Sequence, residues 1–177
     1  MRIILFPLLS LSVYNNNMKS LEKRIWWGYL GHDLQELMVE SVLLTEYVGA
    51  WKEKFHDYSF VVFPAAKAYE GFLKKIFYEQ RFISHEDFIG KRFRIGRSLN
   101  PSLKPKPGEV SVYQKIVDYC GGTRLADQLW NTWKDCRNLL FHYFPEEKNA
   151  IEYSQARERI GMIFDTIDEA YKGCKIN

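Results

Sequence analysis

Apolar side chains recur along this chain every three or four residues, the repeat of helices that bury one face. Leu34, Leu37, Met38, Ser41, Thr45 and Val48, closed by Trp51 or Lys52, predict a long helix over residues 34–54. Asp33 stands as its N-cap, with Glu36 three residues on, close to a capping box. Val62, Ala65, Tyr69, Phe72 and Ile76 predict a second helix over 58–80, capped by Asp57. Pro64 falls in its early turns, where a missing N–H is tolerated or produces a kink. Thr123 opens a third helix, over 124–143, whose series is Leu125, Leu129, Thr132, Cys136, Leu139 and Tyr143; Pro145 stops it. Asn149 and Glu152 resemble a capping box for the last helix, where Tyr153, Ala156, Ile160, Ile163, Ile167 and Ala170 repeat most regularly. A shorter helix over 109–119 is closed by Gly121 and Gly122. The fold class is therefore all-α, a bundle of four main helices with short helices between.

The ends and the middle behave differently. Ile3 to Leu9 form an apolar run far too short to span a bilayer, and no small-residue cleavage site follows it. Residues 1–17 read as a mobile arm or as an extension preceding a true start at Met18, leaving residues 18–177 as one domain. Between Gly90 and Gly108 the helical pattern breaks. This stretch carries Lys91, Arg92, Arg94, Arg97, Lys104 and Lys106, and Phe88 to Gly108 holds no acidic residue. Pro101, Pro105 and Pro107 deny it a regular helix of any length. A basic, proline-rich loop of this kind is either a solvated connector or a cationic segment that holds a nucleic-acid backbone without reading its sequence. Phe93 within it is better placed for burial than for stacking on a base.

Composition adds little to this. The 177 residues are 46% hydrophobic and 27% charged, ordinary for a soluble globular domain. Aromatic residues make up 16%, and their helical spacing assigns most of them to the core. The net charge of +3 is too small to imply a polyanionic partner by itself. Three scattered cysteines, with no Cys-x-x-Cys spacing, argue against a disulfide framework or zinc site and fit a reducing cytoplasm. No metal-ligand spacing, phosphate-binding glycine loop or membrane span is visible.

The chemistry is concentrated near the end of the third helix, in Asp135-Cys136-Arg137-Asn138-Leu139-Leu140-Phe141-His142. Arginine carries a permanent charge on a planar donor fork suited to phosphate, and histidine can both take and give a proton near neutral pH. At about 100° per residue, positions five apart on a helix diverge by about 140°. Either the helix loosens before Pro145, or another element or a second chain completes the site. On the second helix, Lys67, Glu70 and Lys74 share a face, which by itself reads as a surface ion-pair ladder.

Arg137-x4-His142, with Asn138 after the arginine, resembles the signature of HEPN-domain ribonucleases. The stretches FPAAKAYEGFLKKIF and CRNLLFHYFP are similar to the HEPN domain of RNase LS-type toxins of bacterial toxin–antitoxin systems, and the likeness runs from Leu34 to the C-terminus. It implies a metal- and cofactor-independent endoribonuclease with Arg137, His142, Glu70, Lys67 and Asn138 in the catalytic site. Lys91, Arg92, Arg94 and Arg97 are the candidate RNA-binding residues. The family's basic residue at the position of Lys67 is more usually arginine. The resemblance further implies a site built at a homodimer interface and a protein antitoxin as partner. The family's N-terminal domains have no counterpart here. Two other readings compete: a non-catalytic HEPN module that partners a separate toxin or nucleotidyltransferase, and a structural helical domain in which the spacing arises by chance.

Overall fold

The elements are helical throughout, and no strand occurs among the residues described by the computed structural model, 19–105 and 108–173. The N-terminal extension, Lys106 and Cys174 lie outside them. A 3-10 turn (Trp27–Tyr29) leads into α1 (His32–Gly49) and α2 (Ser59–Glu79). Two short helices follow, α3 (His85–Ile89) and α4 (Ile95–Leu99), then α5 (Val112–Cys120), α6 (Arg124–Trp133) and α7 (Tyr153–Gly173).

The bundle is built around α2, which buries eleven of its 21 residues, including Tyr69, Phe72, Leu73, Ile76 and Phe77. Full burial of side chains of this size contributes about 1.5–3 kcal/mol each relative to exposure. Helix α2 touches α1, α3, α4, α6 and α7. Its contact with α1 is close at Gly71, where a Cβ would lie 2.5 Å from Leu34 Cδ2. Tyr69 anchors α6 by donating its buried hydroxyl to the Leu129 carbonyl at 3.1 Å. Because so much of α2 is covered, one outward stripe remains at intervals of three and four: Phe60, Phe63, Lys67, Glu70 and Lys74.

Several boundaries differ from those expected. Helix α1 ends at Gly49 rather than at residue 54; its last turn tightens, and Trp51 packs on Phe55 with ring centroids 5.4 Å apart. Its N-cap is Gly31, and Asp33 lies in the first turn, where a carboxylate favours the positive end of the helix. The N-cap of α2 is Tyr58 rather than Asp57, but Asp57 Oδ1 still braces the helix start, accepting the Ser59 N–H at 3.0 Å and the Ile151 N–H at 3.1 Å. In the basic stretch a five-residue helix, α4, forms ahead of Pro101 because Ile95 and Leu99 are both drawn into the core. Phe93 is half-buried against that core. The cysteines divide: Cys136 is free and buried, whereas Cys120 is disulfide-bonded, against the expectation that none would be. No helix among the described residues is long and apolar enough to cross a membrane.

Candidate active site

The motif helix begins as α6 and then widens. Lys134–Asn138 form a π-turn, in which the Leu139 N–H donates to the Lys134 carbonyl at 2.8 Å. Regular helix ends there, and residues 139–142 make a turn before Pro145 is reached. The unbroken helix expected over 124–143 is thus corrected. Each π closure takes in one residue more than an α closure, so the buried series moves from Leu139 to Leu140. Leu140 is 5% exposed, whereas Leu139 and Tyr143 are 37% and 78% exposed. The 140° divergence presupposed a continuous α-helix, and His142 instead sits beyond the helix end. Single-turn π insertions occur frequently at functional sites.

A residue outside the motif closes this turn. The Asn149 side-chain amide donates to the carbonyls of His142 (2.6 Å), Leu139 (3.1 Å) and Leu140 (3.4 Å). Helix C-termini leave carbonyls without intrahelical donors, and here one side chain serves three of them. Asn149 does not cap α7 as its position suggested. At that helix start, Gln155 Oε1 accepts the Glu152 N–H at 2.9 Å.

Arg137 is held from two sides. Its Nε donates to Glu70 Oε2 at 3.2 Å, and its guanidinium carbon lies 5.8 Å from the centroid of the Trp133 ring. The ion-paired side chains of Arg137 and Glu70 are 38% and 35% exposed, so solvent screening limits the pair to about 1 kcal/mol at most. Its larger effect is orientation. Among the described residues the two terminal Nη groups have no partner, which leaves the planar fork open to an anion. The ladder expected along α2 does not form: Glu70 turns to Arg137, and Lys74 donates to the Gly90 carbonyl at 3.2 Å. Lys67, one turn before Glu70, is exposed and unpaired among the described residues.

A second contact joins α2 to the motif. Phe63 meets Phe141 edge to face, ring centroids 5.4 Å apart. The outward stripe of α2 therefore borders the motif at two points, Glu70 against Arg137 and Phe63 against Phe141, with Lys67 between them. Seven residues of helix separate the two points, about 10 Å at 1.5 Å per residue. His142 follows Phe141 directly; its imidazole is exposed and has no partner among the described residues. No hydrogen bond or ion pair joins it to Arg137 or Glu70. Asn138 is half-buried and makes no side-chain hydrogen bond among the described residues.

The basic stretch is packed against the same place. Gly96 in α4 lies on Trp133 so closely that a Cβ there would be 2.0 Å from the indole Cη2. Lys91, Arg92, Arg94 and Arg97 are exposed, and none pairs with an acidic side chain among the described residues. Arg94 donates to the Lys91 carbonyl at 2.6 Å. Gly96 was not singled out from the sequence, and Trp133 counted there only among the core-facing aromatics, although it stands one helical turn before Arg137, the spacing of side chains that meet.

Two other features belong to the surroundings of the site. Burial pushes the Cys136 thiol up to about 12, so it stays protonated and is no nucleophile. Among the described residues no three His, Cys, Asp or Glu are grouped as metal ligands. Two surface depressions of about 520 and 440 Å3 are lined by other residues. Compared with known protein families, curated proteins and solved structures, the chain matches none.

Proposed function

We propose that this protein is a metal-independent endoribonuclease that cleaves single-stranded RNA at the strip between α2 and the motif turn. The observation that carries this reading is the meeting of Glu70 with Arg137 across 67 residues of sequence. That contact holds the arginine by its Nε and leaves its fork open beside the unpaired Lys67. A phosphodiester bound by Arg137 and Lys67 has its negative charge met by two cations, the kind of stabilisation that matters most as charge develops. The ribose 2′-oxygen attacks phosphorus and the P–O5′ bond breaks, leaving a 2′,3′-cyclic phosphate and a 5′-hydroxyl. His142 takes the 2′ proton while water protonates the departing 5′-oxygen, or supplies that proton while water takes the one from the 2′-hydroxyl. Glu70 acts by holding Arg137, and Asn138 by orienting the histidine or the phosphate. By its resemblance to RNase LS-type toxins, the chain would serve as a toxin restrained by a protein antitoxin.

The test is cleavage of an unpaired RNA in EDTA beside the DNA of the same sequence. The RNA should be cut to the ends named above and the DNA left intact. A strict requirement for a divalent metal, or equal cutting of DNA, overturns the mechanism.

The basic stretch is expected to bind rather than to react. Replacing Arg92, Arg94 and Arg97 by glutamine removes three phosphate contacts. The slope of log Kd against log salt should fall by up to about 2, at about 0.7 per contact for a single strand. Single-turnover cleavage at saturating RNA should change little. An unaltered slope makes the stretch a connector.

A homodimer remains part of this reading, now on different grounds. Tyr143, Phe144 and Leu139 expose apolar surface on the turn that carries His142, and one such patch can pair with itself across a two-fold axis. Sedimentation should give a dimer at assay concentration, and a fully active monomer would end the shared-site idea.

A further inference from the structure

We propose that Phe63 is a nucleobase-stacking platform, and that the substrate is RNA with an unpaired base next to the scissile phosphate. The inference rests on the ribonuclease reading and assigns a binding subsite within it. Phe63 is 53% exposed, although it sits on a helix that buries eleven of its 21 residues. Its ring is braced edge to face by Phe141, the residue before His142. Along the same stripe lie Lys67, one turn away, and Glu70 with its bound Arg137. An exposed ring and cationic groups able to hold phosphate thus follow one another along one helix face. A phosphate between Lys67 and Arg137 leaves its neighbouring nucleotide about one to two helical turns along α2, where the Phe63 ring stands. In the other direction Lys74 comes first along the α2 stripe, and the Tyr78 ring beyond it is already stacked on Phe88, centroids 4.7 Å apart.

The charge beside the ring favours this occupant. Lys67, one turn from Phe63, has no acidic partner among the described residues, and a polyanion neutralises it while offering a π-face to the aromatic. Stacking tolerates every base, because each has such a face. Phe63 would therefore select for unpaired structure more than for sequence, since a base held in a duplex cannot lie on it. Phe60, 39% exposed and 5.3 Å from Phe55, extends the aromatic surface further from the site.

The experiment uses the full chain and an oligoribonucleotide bearing one 2′-deoxy residue at its mapped cleavage position, which binds and is not cut. An abasic residue is moved through the neighbouring positions, and Kd is measured for wild type and Phe63→Ala at fixed salt. Phe63→Ala should weaken binding of the intact oligonucleotide by about 5- to 150-fold, the range for one stacked base, and the abasic residue should do the same to wild type at one position. Combined, the two losses should not add. Phe63→Leu, which keeps the apolar contact to Phe141, should fold like wild type yet show the same loss. Additive losses, or no loss with Phe63→Ala, overturn the proposal. Dissociation of a dimer by Phe63→Ala with the abasic penalty unchanged also overturns it, and makes Phe63 a contact between copies. Wild type that cuts no unmodified RNA refutes the ribonuclease reading itself, and active wild type with additive losses refutes the platform alone.

Discussion

Replacing His142 by alanine is expected to lower RNA cleavage by about 10²- to 10⁴-fold, the usual worth of a positioned proton-transfer group. Binding of uncleavable RNA should change little. The imidazole stabilises nothing in the fold that would confuse the result: it is exposed and unpartnered among the described residues, and substitutions at such places usually stay within about 0.5 kcal/mol. Arg137 should behave differently. Arg137→Lys keeps the charge but loses both the Nε contact to Glu70 and the planar fork, so it should resemble Arg137→Ala more than wild type. Glu70→Gln retains an acceptor for that Nε and removes the charge. If Glu70 only orients the arginine, this variant should keep most of its activity, whereas a proton-transfer role would make it as damaging as His142→Ala. Rates measured in EDTA for the four variants separate these roles. A His142→Ala chain that still cuts RNA at the wild-type rate would remove the histidine from the mechanism.

The turn that holds His142 shows where a sequence stops being informative. The repeats of α2 and α7 fixed their buried faces, since Val62, Ala65, Tyr69, Phe72 and Ile76 are all buried, as are Ala156, Ile160, Ile163, Ile167 and Ala170. In the motif, both Leu139 and Leu140 fit a three-or-four repeat after Cys136. Only the hydrogen-bond register decides between them, and the i→i+5 bond to Lys134 selects Leu140. Asn149 was ambiguous for a related reason. An asparagine between two helices can accept from the next helix start or donate to the previous helix end. Three free carbonyls crowded at one place settle it, and that crowding is created by the π-turn.

The candidate residues divide along the same line. Arg137, Asn138 and His142 could be picked from residue chemistry and spacing, because they lie within one short segment. The partner of Glu70 could not be read from spacing; only the family resemblance offered Glu70 as a support for Arg137 or as a second proton-transfer group. Lys67 and Lys74 are its neighbours in sequence at helical spacing, and the ladder they suggest is the right local answer. Packing of α6 on α2 brings a guanidinium within 3.2 Å, and the tertiary contact prevails over the local one. The hold of the basic stretch on the site is less legible still, since it depends on what Gly96 lacks rather than on what it carries.

That missing side chain leads to the second large effect. Gly96→Ala is expected to destabilise the fold and, more than its stability cost explains, to slow RNA cleavage. An added Cβ would stand 2.0 Å from Trp133 Cη2 and 2.4 Å from Cζ3, so the ring or α4 has to move. The ring has little room: it is 8% exposed, and it stacks on Trp130 with centroids 5.8 Å apart and planes 18° from parallel. Overpacking of this kind costs about 1–3 kcal/mol. For a chain of this length that lowers Tm by roughly 2–12 °C, at about 2–4 °C per kcal/mol. The displaced indole is also the surface beside the Arg137 guanidinium, so the arginine loses one of its two supports and keeps only Glu70. Thermal unfolding and single-turnover cleavage, followed together below the unfolding range, separate the two effects. Trp133→Phe removes the benzo edge that the new methyl would strike, so the Gly96→Ala, Trp133→Phe pair should recover Tm relative to Gly96→Ala alone. It should recover cleavage only in part, because a phenyl ring offers the guanidinium a weaker face than an indole. A Gly96→Ala chain with wild-type Tm and wild-type rate would show that α4 has room to retreat, and that Arg137 needs only Glu70 to stay in place.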